Sequence, residues 1–281
     1  MVLNFFKWFP KDSLPHSPET SVPLLFLHGM GGTGLIWRPI TAQLEDYFFC
    51  IAPDQRGHGL SRPIPSSEEG RFHGLDYAKD VNSLLEQEGI KRVYLIGHSM
   101  GVRTALALAY LFPQKIAGII AVDIGITTHW GGGIGLPLAD FIEKLPETFS
   151  NRATMRAYLM ENCPDPAIAQ YLSAVSQRTS ENPEIWKFPF DHQALVKTIH
   201  EANEAPLDEW LKEILRHQIP CTFLRGMNSK VWSKQDFEDQ KLKYQHPLLE
   251  FQEWENCGHG LPFEQRQRFV ELIKAKVNSA H

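Results

Sequence analysis

The chain has 281 residues, 43% of them hydrophobic and 22% charged, with a formal net charge of −5. That is an ordinary globular composition, long enough for a sizeable core in one large domain or in a domain carrying an insertion. The acidic balance and the lack of Lys/Arg runs exclude an electrostatic nucleic-acid surface, and no apolar run reaches the roughly 18–20 residues that span a bilayer.

Residues 1–10 (Met-Val-Leu-Asn-Phe-Phe-Lys-Trp-Phe-Pro) are apolar but short and broken by Lys7. They lack a basic start and a small-residue cleavage site, so they are read as a first irregular strand rather than a signal peptide. Residues 22–27 (Val-Pro-Leu-Leu-Phe-Leu) predict a strand covered on both faces. The glycine-dense loop His28-Gly29-Met30-Gly31-Gly32 and a helix over about 36–44 follow. The loop has neither a P-loop ending nor dinucleotide-type glycine spacing, so it is read as a place where backbone N–H groups turn toward a neighbouring atom. A second strand, 48–52, ends in Pro53-Asp54-Gln55-Arg56-Gly57-His58-Gly59-Leu60-Ser61, where Asp54 and Arg56 are expected to form a structural ion pair. Tyr77, Val81, Leu84 and Leu85 recur at helical spacing.

Residues 93–96 form the next strand, which runs into Gly97-His98-Ser99-Met100-Gly101 and then an Ala/Leu-rich helix. A serine at a sharp strand-to-helix turn, with glycines two before and two after, is the pattern of a nucleophile held at a strained apex. The helix N-terminus there also favours developing negative charge. A further strand, 116–124, contains Val122-Asp123-Ile124.

Between 127 and 218 the composition changes. The segment opens with Trp130-Gly-Gly-Gly-Ile-Gly, has helix-like patterns near 137–144, 154–162, 167–178, 191–202 and 207–217, and has no apolar run long enough for a core strand. It is read as a helical cap inserted into a core of residues 1–126 and 219–281, with the glycine run as the hinge of a mobile lid. Residues 221–224 restore the strand pattern, 248–254 form the last strand, and Asn256-Cys257-Gly258-His259-Gly260 precedes a terminal helix over about 263–277. Strands alternating with helices predict an α/β fold with a mostly parallel, doubly wound sheet, and such sheets carry their site beyond the carboxyl ends of the strands. Met30, Asp54, Ser99, Asp123, Asn228 and His259 all follow a strand end.

A serine hydroxyl needs a base within hydrogen-bond reach. Of twelve histidines, His259 lies in the glycine-flanked loop best placed to deliver one, while His28 and His98 flank strand ends. The four cysteines, Cys50, Cys163, Cys221 and Cys257, show no metal-type spacing. Reduced thiols without an export signal are expected of a cytoplasmic protein.

Gly97-His98-Ser99-Met100-Gly101, His28-Gly29-x-Gly31, Asp54-x-Arg56-Gly57-His58-Gly59-x-Ser61 and Gly258-His259 together resemble the α/β-hydrolase superfamily, across nearly the whole chain except the insertion. Many relatives carry the catalytic acid just after the penultimate strand, where this chain has Lys230. The resemblance then implies the esterase/thioesterase-like subgroup that carries the acid one strand earlier, after strand 6 of that fold, which points to Asp123, with Asp236 as the alternative. The Met30 and Met100 backbone N–H groups are the implied oxyanion hole. His28, Trp130, Phe141 and Trp186 are candidate pocket residues, with Leu145 and Phe190 beside them.

The expected activity is hydrolysis of a small-molecule ester or thioester with a small to medium acyl group, by Ser99, His259 and Asp123, with no metal or organic cofactor, in a monomer or homodimer without stable membrane insertion. Arg103, four residues after Ser99, resembles the elbow of a menaquinone-pathway lyase and supplies a non-hydrolytic alternative. A catalytically silent ligand-binding module is the third reading.

Overall fold

The computed structural model describes residues 1–10, 22–62, 71–126, 135–202 and 205–279. In chain order the first half contains β1 (Phe5–Trp8), β2 (Leu24–Leu27), α1 (Arg38–Thr41), β3 (Cys50–Pro53), α2 (Gly74–Gln87), β4 (Val93–His98), α3 (Met100–Leu111) and β5 (Ile116–Val122). The middle of the chain supplies α4 (Gly135–Glu143), β6 (Thr148–Phe149), α5 (Arg152–Asn162), α6 (Pro166–Val175), β7 (Gln177–Arg178), β8 (Trp186–Lys187), α7 (His192–Ala202) and α8 (Leu207–Arg216). The chain closes with β9 (Cys221–Gly226), α9 (Lys234–Lys243), β10 (Leu249–Trp254), α10 (Leu261–Glu264) and α11 (Arg266–Asn278).

Seven strands form one sheet in the order β1-β3-β2-β4-β5-β9-β10. β1 pairs antiparallel with β3 at one edge, and the other pairings are parallel. The period-2 geometry of a strand sends alternate side chains to opposite faces. Leu25, Leu27, Leu95, Ile119, Ala121 and Phe223 therefore pack on one side with α2, α3 and α8. Leu24, Phe26, Ile96, Ile120, Val122 and Leu224 pack on the other with Trp37, Ile40 and the α11 residues Phe269, Ile273 and Val277. Two apolar faces explain why the strands read as continuous hydrophobic runs; each fully buried Leu, Ile or Phe contributes about 1.5–3 kcal/mol.

Within 135–202 the helices and the small antiparallel sheet β6-β8-β7 form a layer of their own, whose Phe141, Phe149, Leu159, Phe188 and Leu195 continue the α2/α3 side of the core. The tract expected to be helical to Arg178 instead ends at Val175, and Gln177–Arg178 pairs with Trp186–Lys187. α8 turns Leu207, Trp210, Leu211 and Ile214 inward at helical spacing. Trp210 stacks on Tyr110 of α3, with ring centroids 5.8 Å apart, so the end of the expected insertion lies on the sheet layer. Among the described residues no helix is long and apolar enough to cross a membrane. The glycine hinge with Trp130 lies outside the described residues up to 134.

One expectation is corrected. Arg56 does not pair with Asp54 but forks onto Asp80, Nε to Oδ2 at 2.8 Å and Nη2 to Oδ1 at 3.0 Å. Asp54 turns its carboxylate the other way, to Gly34 N–H (2.8 Å), Asn4 Nδ2 (2.7 Å) and Leu60 N–H (3.0 Å). Two residues apart across a turn, the pair is pointed to different layers of the fold.

Candidate active site

Ser99 stands between β4 and α3 with φ 53° and ψ −120°. A non-glycine residue there costs of the order of 1–3 kcal/mol and persists only when its surroundings over-determine it. Ser99 N–H donates to Val122 O (2.9 Å) and Val102 N–H to Ser99 O (2.9 Å), which pins both sides of the turn. The flanking glycines are steric necessities. A Cβ on Gly97 would lie 2.6 Å from Gly101 O, and one on Gly101 would lie 2.2 Å from Leu27 O. The serine is 4% exposed. Among the described residues its hydroxyl makes no hydrogen bond, a common state before substrate tightens such a site.

Strand register brings the other groups alongside. His98 is level with Val122 across β4 and β5, and Val122 with Leu224 across β5 and β9. Asp123 thus emerges one strand over from Ser99, also at positive φ (55°) and fully buried. A buried carboxylate is tolerable only when its oxygens are satisfied. Gly226 N–H donates to Oδ1 (2.9 Å), while His259 Nδ1–H (2.8 Å) and the Ser229 hydroxyl both donate to Oδ2. This bond places the His259 proton on Nδ1 and leaves Nε2 free to accept, as a general base requires.

The His259 loop is held from three sides. Asn228 N–H donates to Cys257 O (2.9 Å), Gly258 N–H to Glu264 Oε2 (2.9 Å), and His98 Nε2–H to the His259 carbonyl (2.7 Å). Burial, reinforced by the neighbouring His259, pulls the His98 pKa down to about 3, so it stays a neutral strut. β9 and this loop touch at Gly226, where a Cβ would sit 2.2 Å from Gly258 O.

The loop 28–32 lies against the nucleophile: a Cβ on Gly29 would be 3.3 Å from Ser99 Cβ. Two buried histidines clasp it to the 54–61 loop in reciprocal fashion. Gln55 N–H donates to His28 Nε2 and Gly31 N–H to His58 Nε2, each at 3.0 Å. Their Nδ1–H groups donate to Gly29 O (2.7 Å) and Arg56 O (2.8 Å). Burial lowers the His28 pKa to about 4 and the His58 pKa to about 3, so both are neutral and able to accept. With Gly31 N–H engaged, the neighbouring Met30 N–H makes no hydrogen bond among the described residues; neither does Met100 N–H.

Beside these amides, Met30, Met100, Phe72, Tyr77, Arg103 and Thr198 line a cavity of about 20 Å³, room for about one water. Burial brings the Arg103 pKa down to about 10, which still leaves it charged at neutral pH.

The structure thus brings Ser99, Asp123, His259, Met30 and Met100 to one end of the sheet. Of the expected pocket residues that are described, Phe190 packs against the loop, its ring 3.3 Å from where a Cβ on Gly31 would lie, whereas His28, Phe141 and Trp186 have other surroundings. His28 spends both ring nitrogens on loop backbone. Phe141 is packed inside the middle layer near Tyr158. Trp186 lies on the small sheet with the Arg152 and Arg178 guanidiniums 5.2 and 5.6 Å from its ring. Asp236 is exposed in the first turn of α9 and accepts from the hydroxyl of the N-cap residue Ser233 (2.6 Å), with no histidine bonded to it among the described residues. Lys230 is exposed, and Ser229 next to it is the group that reaches Asp123. The partners of Ser229 and His58 escape sequence reasoning because they lie on distant segments of the chain, although His58 stands within one of the motifs that carry the resemblance.

Three comparisons bear on this arrangement. A family model described as the α/β hydrolase fold matches residues 22–159. The chain is 34% identical over 100 residues to 2-(acetamidomethylene)succinate hydrolase of Mesorhizobium japonicum, a match that covers 36% of this chain and only 34% of that protein. It is 24% identical over 255 residues to a Haemophilus influenzae protein assigned as an esterase/lipase, covering 91% of this chain and 83% of the other. The solved structure of a marine microorganism esterase superposes with a TM-score of 0.76 at 21% identity, over 98% of both chains. Sheet order, elbow geometry and the family match lead to one conclusion: the chain has the α/β-hydrolase fold.

Proposed function

We propose that the protein is a serine hydrolase that cleaves carboxylic esters or thioesters of small to medium acyl groups through an acyl-enzyme. The observation that carries this is the 2.8 Å bond from His259 Nδ1–H to the buried Asp123 carboxylate, one strand over from a serine strained into the elbow. In this reading Ser99 Oγ attacks the substrate carbonyl while His259 Nε2 takes its proton. The carbonyl electrons move onto the oxygen, where Met30 and Met100 N–H meet them. Collapse expels the alcohol or thiol, which leaves with the proton from His259. A water attacks the acyl-enzyme by the same route in reverse and frees Ser99. Asp123 holds the tautomer and stabilises the imidazolium; Asp236 has no part. Residues 135–202 act as the cap over this chemistry, which needs no cofactor.

A fluorophosphonate probe tests the nucleophile: labelling of the folded protein should disappear in Ser99→Ala. No labelling of the wild type would instead favour a silent binding module. A graded panel of p-nitrophenyl esters and acyl-CoA thioesters then sets chain length and leaving group. The buried Arg103 beside the cavity keeps a charge-recognising lyase as the second reading, and it predicts an unsaturated product where hydrolysis yields a free acid.

A further inference from the structure

α6 has the signals of a well-anchored helix. Asp165 accepts from Ala167 N–H (2.8 Å) and Ile168 N–H (3.0 Å) at its N-cap, and Pro166 opens the first turn. The helix sets two consecutive side chains on the loop that faces the nucleophile. A Cβ on Gly31 would lie 3.3 Å from Leu172 Cδ2, and one on Gly32 would lie 2.6 Å from Tyr171 Oη. Gly32 thus has no room for a side chain because the tyrosine hydroxyl occupies that place.

The hydroxyl itself is anomalous. Tyr171 Oη is buried, yet among the described residues nothing donates to it or accepts from it, although the rest of the ring is partly exposed. A buried hydroxyl without a partner is a standing cost to the fold, and native structures retain few of them. Other orphaned polar atoms have a structural context. Trp37 Nε1 and Trp232 Nε1 sit among packed aromatic rings, and the Gln55 side chain already donates to His28 O (2.7 Å). Tyr171 alone reaches across from the middle layer to the loop beside Ser99. Burial pushes its phenol pKa up, so at working pH it is a donor.

We propose that Tyr171 Oη donates a hydrogen bond to a second oxygen on the substrate and so selects esters bearing an oxo or alkoxy oxygen near the scissile carbonyl. The inference rests on the serine-hydrolase reading. The turn closed by Gly32 N–H to Gly29 O (3.1 Å) keeps its ends within about 7 Å, and Gly29 abuts Ser99. An acceptor two to four bonds from the carbonyl spans that interval. Plain alkyl esters would leave the hydroxyl unpartnered, as it is in the free protein.

Tyr171→Phe removes only the hydroxyl, and two near-isosteric ester pairs read its effect. These are p-nitrophenyl methoxyacetate against butyrate, and p-nitrophenyl 4-oxopentanoate against pentanoate. The ratio of mutant to wild-type kcat/KM for each ester cancels intrinsic reactivity. It should fall about tenfold or more for the oxygen-bearing member and by less than about twofold for the alkyl one, with a melting temperature at or above that of the wild type. An equal fall within each pair would mean a structural role, and no fall in either would mean that the hydroxyl never meets substrate; both overturn the proposal. Absence of wild-type turnover on all four esters would overturn the hydrolase reading itself, and the role of Tyr171 with it.

Discussion

Asp123→Asn separates the charge of the buried acid from its shape. The amide has nearly the same volume and can keep an oxygen toward Gly226 N–H, which now donates to Oδ1 at 2.9 Å. Its –NH2 then takes the place of Oδ2, where His259 Nδ1–H donates at 2.8 Å. Two donors cannot face each other, so the imidazole moves its proton to Nε2 and presents a donor to Ser99 in place of an acceptor. The base is lost without loss of packing. Triads altered in this way lose about 10⁴ in kcat, roughly 5 kcal/mol of transition-state stabilisation. Stability should change by no more than about 2 kcal/mol, the scale of one charge-assisted bond exchanged for a neutral one. The assay is steady-state hydrolysis of p-nitrophenyl butyrate, with urea unfolding as the folding control and Asp236→Asn in parallel. Asp236→Asn should leave kcat within about twofold, since that residue only pairs with the N-cap Ser233 at an exposed helix end. If Asp123→Asn keeps more than about a tenth of the wild-type rate, or Asp236→Asn falls as far, the assignment of the acid is wrong.

Ser229→Ala deletes one of three donors to the Asp123 carboxylate and should cost about tenfold in kcat with KM nearly unchanged; an unaltered kcat would show that the carboxylate is held without it. Gly226→Ala drives a Cβ to 2.2 Å from Gly258 O. Backbone cannot yield there cheaply, so the His259 loop must shift, with a loss of about 1–3 kcal/mol in stability and about 10²-fold in rate for a displacement near 1 Å. Wild-type kinetics in that variant would refute the close approach. The histidine clasp predicts acid sensitivity. Burial holds His28 at about 4 and His58 at about 3, below the ordinary 6.5. The unfolded chain therefore binds more protons below pH 6.5, and stability that is full above that value is lost as pH falls toward the folded pKa values. For His28 alone the loss between pH 6.5 and 5 is about 2 kcal/mol, in a range where carboxylates are still ionised. Urea midpoints across that interval measure it, and a flat profile would rule out buried neutral rings.

How far these features were legible depends on whether their physics is local. The elbow was legible because steric crowding is carried by neighbours in sequence: Gly97, Ser99 and Gly101 form their own turn, and a β-branched strand and an Ala/Leu helix flank it. The core strands were legible because two-sided burial makes them continuous apolar runs, and the position of the site followed from a parallel sheet. The surroundings of Phe141 and Trp186 were not, because an aromatic in the inserted segment has the same sequence signature whether it packs inward, as Phe141 does, or lies under arginines, as Trp186 does.

By itself, then, the sequence determined the superfamily fold, the strained serine, the glycine loop and the histidine that follows the last strand. Tertiary structure decided the rest. It bonds the carboxylate of Asp123, the residue to which the resemblance pointed, to His259, brings Ser229 to that carboxylate, engages His28 and His58 as struts, and seats Tyr171 over Gly32. Each is a pairing between segments far apart in the chain, selected by strand register and by the satisfaction of buried polar groups, and spacing along a single segment carries no record of either.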